Sequence, residues 1–243
     1  GKGSKLLSGS KNFYDDLGNE IGSAEFMNGE LDKAHCTSFR FSKSETEVTG
    51  EEDEAQTITT GYEKEINPSS YTEEVDPANF YDQFNDSVLS ETITKTVTDA
   101  EGNNLSQTTS YLRGKNKTET VTTYENDDFG RTVKENTIQK KYQDGRWLPS
   151  YETEVSYTYD ENGNVTETET KSRKEGETDW QTQKTKAVYD SKGQVTKEYS
   201  PRGVKENVAA AYTYDLLGRK IKEELPQNKT DGSAGYQTVV NEY

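Results

Sequence analysis

Residues 212–221 read YTYDLLGRKI, and residues 157–165 read YTYDENGNV. Both set two Tyr residues at period two before an Asp, and a Gly three residues after it. That spacing describes a hairpin corner. Asp favours the first position of a type I turn because its carboxylate accepts the backbone N–H groups ahead of it. The fourth position needs positive φ, which Gly takes without a steric penalty. A type I turn followed by a left-handed residue is the three-residue hairpin loop with a bulge.

The pattern recurs along the chain. Asp15/Gly18, Asp99/Gly102, Asp127/Gly130, Asp160/Gly163, Asp190/Gly193 and Asp215/Gly218 each lead to an apolar residue two or three positions past the Gly. A further copy, YDQFNDSV, carries Asp82 and has Asn85 in the Gly position. Asn tolerates the left-handed region better than other residues with a side chain, so this copy also reads as a corner. Tyr precedes the Asp at positions 14, 81, 159, 189 and 214.

The flanks read as strands. In EVSYTYD, Val155, Tyr157 and Tyr159 share one face, and in NVAAAYTYD, Val208, Ala210, Tyr212 and Tyr214 do. Period two with aromatics on one side marks a half-buried strand. VTETETK is largely polar on both faces, so it is expected to be solvated on both sides or to sit in a wide sheet rather than a dense core. A second set of turns lies between the Asp-x-x-Gly corners: Asp144-Gly145 with Trp147 beyond it, and Glu175-Gly176 with Trp180 beyond it. Successive Gly residues from 102 through 130, 163 and 193 to 218 lie 28, 33, 30 and 25 residues apart. Each interval holds two strands of about ten residues. The expected fold is all-β: tandem antiparallel hairpins forming one long, twisted and curved sheet, an open segment over residues 1–243. Its repeats are clear over about 80–225 and divergent over 1–79. The closing VVNEY reads as a strand running toward Tyr243. The chain opens with Gly and holds a single Met, Met27, so it is expected to be a piece of a longer protein.

Composition bounds the partners. The 243 residues include 45 acidic and 29 basic side chains, for a net charge of −16. Such a surface repels phosphate backbones and anionic membranes, so nucleic acid is not expected as a partner. No apolar run approaches the roughly 20 residues of a spanning helix, so no membrane insertion is expected either. Only 28% of residues are hydrophobic. Low hydrophobicity with high charge can signal disorder. Here the 16 Tyr, the 7 Phe and the recurring Thr alternate, which argues for strands. With one Cys, Cys36, no intramolecular disulfide can form.

The tandem Tyr-x-Tyr-Asp-x-x-Gly-Arg/Asn pattern resembles the YD-repeat, or Rhs-repeat, family. That family includes bacterial Rhs and polymorphic-toxin shells, wall-associated proteins, the B/C components of toxin complexes, and teneurins. Residues 212–221 and 157–165 match the motif closely, and 189–195, 127–133 and 81–88 match with departures. The resemblance implies a spiralling antiparallel sheet, in large members a hollow shell around a C-terminal toxin or variable domain. The family's Asp-Pro self-cleavage motif is not carried over: Asp76-Pro77 is followed by Ala-Asn-Phe and precedes most of the repeats.

Reactive chemistry is sparse. His35 and Cys36 are neighbours on the chain, and strand neighbours point to opposite faces. A zinc site needs more Cys and His than the chain has. Glu51-Glu52-Asp53-Glu54 reads as a solvated loop. Asp160-x-Asn162-x-Asn164 mimics the start of a calcium loop but has Val165 and Lys171 where such a loop wants Gly and Glu. No phosphate loop, dinucleotide fingerprint or Gly-x-Ser-x-Gly motif occurs. No catalytic residue, metal or cofactor is expected, and the chain is not expected to be an enzyme.

With no such chemistry in view, what the resemblance implies is a structural role, in a large bacterial protein that is secreted, on the cell surface or cell-wall-associated. Its partners would be the rest of its own polypeptide and an enclosed effector domain. The alternative is a carbohydrate- or surface-binding module in which Trp147 and Trp180 stack on glycans. Against that stands packing of the same rings across strands.

Overall fold

The computed structural model describes residues 8–228 and 234–242, without the side chains of Asp53, Asn228 and Ala234. Tyr243, toward which the last strand was expected to run, lies outside the described residues. Fifteen strands form one antiparallel sheet in chain order, each pairing with the next. They are β1 (Gly9–Tyr14), β2 (Glu20–Phe26), β3 (Cys36–Thr49), β4 (Gln56–Ile66), β5 (Val88–Thr98), β6 (Asn104–Arg113), β7 (Asn116–Asn126) and β8 (Thr132–Gln143). There follow β9 (Arg146–Tyr159), β10 (Val165–Lys174), β11 (Gln181–Tyr189), β12 (Val195–Tyr199), β13 (Ala210–Tyr214), β14 (Lys220–Asn228) and β15 (Ala234–Val240). The sheet does not close on itself. The only α-helix among the described residues, α1 (Pro201–Glu206), is far too short to cross a membrane.

The chain divides into two compact units, Gly1–Thr123 with Ile138–Ser150, and Tyr124–Thr137 with Tyr151–Tyr243. In the first unit lies a dense core. Among the described residues every buried apolar side chain falls between Phe13 and Phe84, in the stretch with the fewest clean repeats. Phe39 and Phe41, two apart on β3, point to one face as period two requires. Phe39 packs on Phe13, Phe41, Tyr71 and Phe84 with ring centroids 5.0–5.9 Å apart. Each such ring is worth about 1.5–3 kcal/mol on burial. Gly22 pairs with Phe41, and a Cβ there would sit 2.4 Å from the Phe41 ring and 2.5 Å from the Arg40 carbonyl oxygen. The large ring on β3 therefore demands the missing side chain on β2.

The core is roofed by the connection between β4 and β5, residues 67–87, which carries Tyr71, Phe80, Tyr81 and Phe84. Here the sequence expectation fails. Asp82 and Asn85 do not make a hairpin corner. Asn85 opens a short 3-10 turn, Asn85–Ser87, and does not take positive φ. The reason is the aromatic content of the segment. Phe84 stacks on Phe41 at 5.4 Å and Phe80 tilts onto it at 5.9 Å. Burying those rings sets the path of the backbone, and the Asn85 side chain turns to Lys64 instead.

In the second unit the corners and the strands between them follow the expected hairpin order with two departures. Between β12 and β13 no tight turn occurs. The segment SPRGVKEN forms α1, whose N-terminus is capped by the Ser200 hydroxyl and whose C-cap is Asn207 at φ +53°. Val208 donates to the Gly203 carbonyl, so the strand starts at Ala210 rather than Val208. Glu175-Gly176 is not a two-residue hairpin turn either: β10 ends at Lys174 and β11 starts only at Gln181. In the first unit Asp144-Gly145 is such a turn, with φ of +52° and +80°. Gly114-Lys115, unnoticed in the sequence, makes another, with Arg113 paired to Asn116. Glu51, Glu52 and Glu54 are exposed around a 3-10 turn.

Candidate functional site

The recurring feature is the Asp-x-x-Gly corner, and its parts are used internally. At all six, the Asp N–H donates to the carbonyl four residues on, at 2.9–3.0 Å, and the Gly N–H donates back to the Asp carbonyl, at 2.9–3.1 Å. Of the seven residues read from the sequence as the fourth position of a corner, Asn85 alone departs from the left-handed region. Gly18 takes φ +85°, Gly102 +88°, Gly130 +75°, Gly163 +85°, Gly193 +78° and Gly218 +83°. Backbone conformation rather than crowding selects Gly at these corners. A Cβ at Gly18 or Gly102 would meet nothing within 4 Å, and at Gly163 and Gly193 it would meet only the ends of the Arg131 and Asn164 side chains, at 3.8 and 3.6 Å. These glycines shape turns.

The Asp Oδ1 accepts the backbone N–H of the residue after the Gly at all six: Asn19, Asn103, Arg131, Asn164, Gln194 and Arg219. That residue's side chain also returns to the Asp Oδ2 from Asn19, Asn103, Arg131, Asn164 and Arg219, at 2.7–2.9 Å. This is why the position after the Gly is Asn or Arg at five corners; at the sixth, the Gln194 amide donates to the Gly218 carbonyl instead. The calcium-like Asp160, Asn162 and Asn164 are engaged in the same turn.

These bonds favour the ionised carboxylate. The Asn19 amide holds Asp15 below the ordinary carboxyl range, and Asn103 and Asn164 do the same for Asp99 and Asp160. The Arg131 side chain lowers Asp127, and the backbone N–H of Arg219 lowers Asp215.

At the last three corners of the second unit the Tyr before the Asp links one corner to the one before. Tyr159 donates its phenol to the Thr132 carbonyl at 2.6 Å, Tyr189 to Val165 at 2.9 Å and Tyr214 to Val195 at 2.8 Å. The acceptor is always the residue two past the preceding corner's Gly, counted from Gly130, Gly163 and Gly193. Gln194 extends the row by donating to the Gly218 carbonyl at 3.0 Å, and the Arg131 guanidinium lies 4.5 Å from the centre of the Tyr159 ring. The repeated Tyr was visible in the sequence, but its hydroxyl's partner, 19–27 residues away, was not.

On the other face of β9–β11 a ladder of charges replaces apolar packing. Glu154 binds Lys134 and Lys171, Glu169 binds Lys171 and Lys184, and Glu167 binds Lys184 and Lys186, all within 2.6–3.2 Å. The polar VTETETK strand is thus held by cross-strand pairs. Lys134, Lys186 and Lys184 hold Glu154, Glu167 and Glu169, respectively, below the ordinary carboxyl range.

The candidate glycan-stacking residues lie in different units. Trp147, on β9 in the first unit, is 38% exposed and meets the Tyr142 ring edge-on at 5.3 Å. Trp180, in the second, is 37% exposed and has the Arg173 guanidinium 4.5 Å from its ring centre. His35 turns away from Cys36: its Nδ1 is 2.8 Å from Asp32 Oδ1, which raises the imidazole, while the Cys36 thiol donates to the Ser38 carbonyl. Glu30, Asp32 and His35 place three ligand atoms within 4.8 Å of one another, a cluster that looking only for Cys and His missed. Its hydrogen bonds are those of an exposed polar loop.

No family model matches this sequence, and no curated protein matches it. Among solved structures, the chain is similar to a component of the Tc holotoxin pore of Photorhabdus luminescens, at a TM-score of 0.30 and 13% identity. The match covers 91% of this chain and 14% of the other, so the chain spans about a seventh of that length.

Proposed function

We propose that the chain is a non-enzymatic structural segment of a large bacterial protein, secreted or displayed at the cell surface. In this reading it is a YD/Rhs-like repeat array forming part of a β-shell wall that encloses or presents an effector or toxin domain. The observation that carries it is the corner-to-corner bond from Tyr159, Tyr189 and Tyr214. At these three corners the repeat uses its recurring chemistry, the Asp carboxylate and the Tyr phenol, to fix itself and to grip the preceding repeat. Such a unit is made for stacking rather than for turnover.

Small-angle X-ray scattering tests it. A compact globule of this length has a radius of gyration near ~18 Å and an unfolded chain near ~54 Å. An intermediate value with an elongated profile supports a strip of wall. A value near ~18 Å counts against it.

The exposure of the two Trp rings favours one second reading, binding to cell-surface glycans. Trp147→Ala and Trp180→Ala should then abolish glycan-array binding. A wild-type chain that binds no glycan ends that reading.

A further inference from the structure

Lys64 is a buried lysine, 6% exposed, facing the core from β4. Its Nζ lies 3.9 Å from the centre of the Tyr81 ring and donates to the Tyr81 carbonyl at 3.0 Å. It also donates to Oδ1 of Asn85 at 2.7 Å, with Asp82 Oδ1 at 3.5 Å and Glu91 Oε1 at 3.9 Å. Glu91 is the register partner of Lys64 on β5 and accepts the Tyr81 hydroxyl at 3.1 Å. An amine, a carboxamide and a carboxylate thus meet beside the Tyr81 ring, on three segments that fold together.

We propose that Lys64 and Asn85 are the partners of an intramolecular isopeptide bond, with Glu91 carrying the protons. The contact atom Oδ1 is one bond from the carbon that would be attacked. Glu91 takes a proton from the Lys64 ammonium and frees the Nζ lone pair. Nζ attacks Cγ of Asn85, and the new N–C bond forms as the carbonyl π pair moves to Oδ1. Glu91 passes its proton to Nδ2, which is held by a hydrogen bond to Asp82 Oδ1 at 3.2 Å. The Cγ–Nδ2 bond breaks as the carbonyl re-forms, and the departing nitrogen leaves as ammonium with the surplus Nζ proton. Ammonium plus carboxamide becomes secondary amide plus ammonium. Glu91 ends as it began, and nothing is oxidised or reduced. The Tyr81 ring covers the Lys64 amine, while Asn85 faces solvent, into which the ammonium departs.

The bond would close a covalent loop from β4 through the core's roof, the service a disulfide gives elsewhere, in a chain whose single Cys cannot supply one. It would fix the 67–87 segment to the sheet when the strands are pulled or heated.

The test is intact-mass spectrometry of the denatured full chain, followed by tandem analysis of a tryptic digest. The expected result is a chain lighter than its sequence by one ammonia, with a branched peptide joining Lys64 to Asn85. An unchanged mass overturns the proposal. So does loss of ammonia without the branched peptide. Loss of one water moves the bond to Asp82 and overturns the Asn85 assignment. Lys64→Met and Glu91→Gln should both restore the full sequence mass, and Glu91→Gln should keep the wild-type circular dichroism spectrum. A folded Glu91→Gln chain that still carries the branch removes Glu91 from the role given to it.

Discussion

At the residue scale, two kinds of position separate what must be small from what must bond. Gly218 sits at φ +83°, and a Cβ there would lie 3.3 Å from Gln194 Nε2. Gly218→Ala should therefore cost about 1–2 kcal/mol from backbone conformation alone, measured as a lowered urea midpoint with unchanged slope. Tyr189→Phe removes only the hydroxyl that holds the Val165 carbonyl. Its expected cost is about 0.5–1.5 kcal/mol in the same urea titration. The equivalent change at Tyr14 should cost less, because that ring is 53% exposed and its hydroxyl only receives a 3.5 Å contact from Asn12. Equal costs at both sites would refute the corner-to-corner bond as the source. The corners were legible in the sequence because Asp and Gly at fixed spacing have one common backbone solution. Asn85 was misread because Asn in the Gly position looks the same on paper. What distinguished it was nearby: Phe80, Tyr81 and Phe84 crowd around Asp82 where a true corner has alternating strand residues. The Lys64, Asn85 and Glu91 cluster gave no signal at all, since its members belong to two strands and a turn.

At the element scale, β10 shows how a strand with hardly any apolar face is kept in a sheet. Glu167, Glu169 and Lys171 all point to one side and all find charges on β9 or β11. The sequence announced the polarity of this strand but not its partners, because register decides them and register depends on where each corner's bulge falls. The pH dependence follows in sign. Glu154, Glu167 and Glu169 have lowered folded values, so their stabilisation is complete above the ordinary Glu value of about 4.3 and is lost as pH falls through the folded values. Lys134, Lys171 and Lys184 have raised folded values, so theirs is complete below about 10.4 and is lost as pH rises through them. Asp15, Asp99, Asp127, Asp160 and Asp215, whose folded values are lowered, add to the acid limb alone. Hydrogen exchange of the β9–β11 amides should show a plateau of protection between those limits and a fall below pH about 4. Raising salt to about 1 M should lower protection on the plateau, since exposed pairs are screened. A protection profile indifferent to both salt and acid would leave the charge ladder without a role in stability.

At the scale of the whole molecule, the sheet has two ends, and each strand pairs only with its neighbours in chain order. The hairpin order was readable from the spacing of the corners. The uneven distribution of the core was not, because the aromatic-rich residues 13–84 were the part in which the repeat was hardest to find. In an open array of this kind the last strand presents an unpaired row of N–H and C=O groups. Strand β15 pairs with β14 on one side, and among the described residues nothing pairs with its other side. It also exposes Tyr236, Val239 and Val240, so the edge is both unpaired and apolar. Natural sheets commonly blunt such edges with lysine or proline, and none of the residues of β15 is either. The purified chain should therefore associate with itself in sedimentation velocity, its weight-average coefficient rising with concentration. Val240→Lys places a charge on that edge and should shift the rise to at least about tenfold higher concentration, which amounts to roughly 1.4 kcal/mol. Val48→Lys, at a valine of matching exposure on β3, a strand paired on both sides, is the control and should change nothing. If both substitutions suppress association alike, added charge rather than the open edge explains it, and if neither does, the contact lies elsewhere on the sheet.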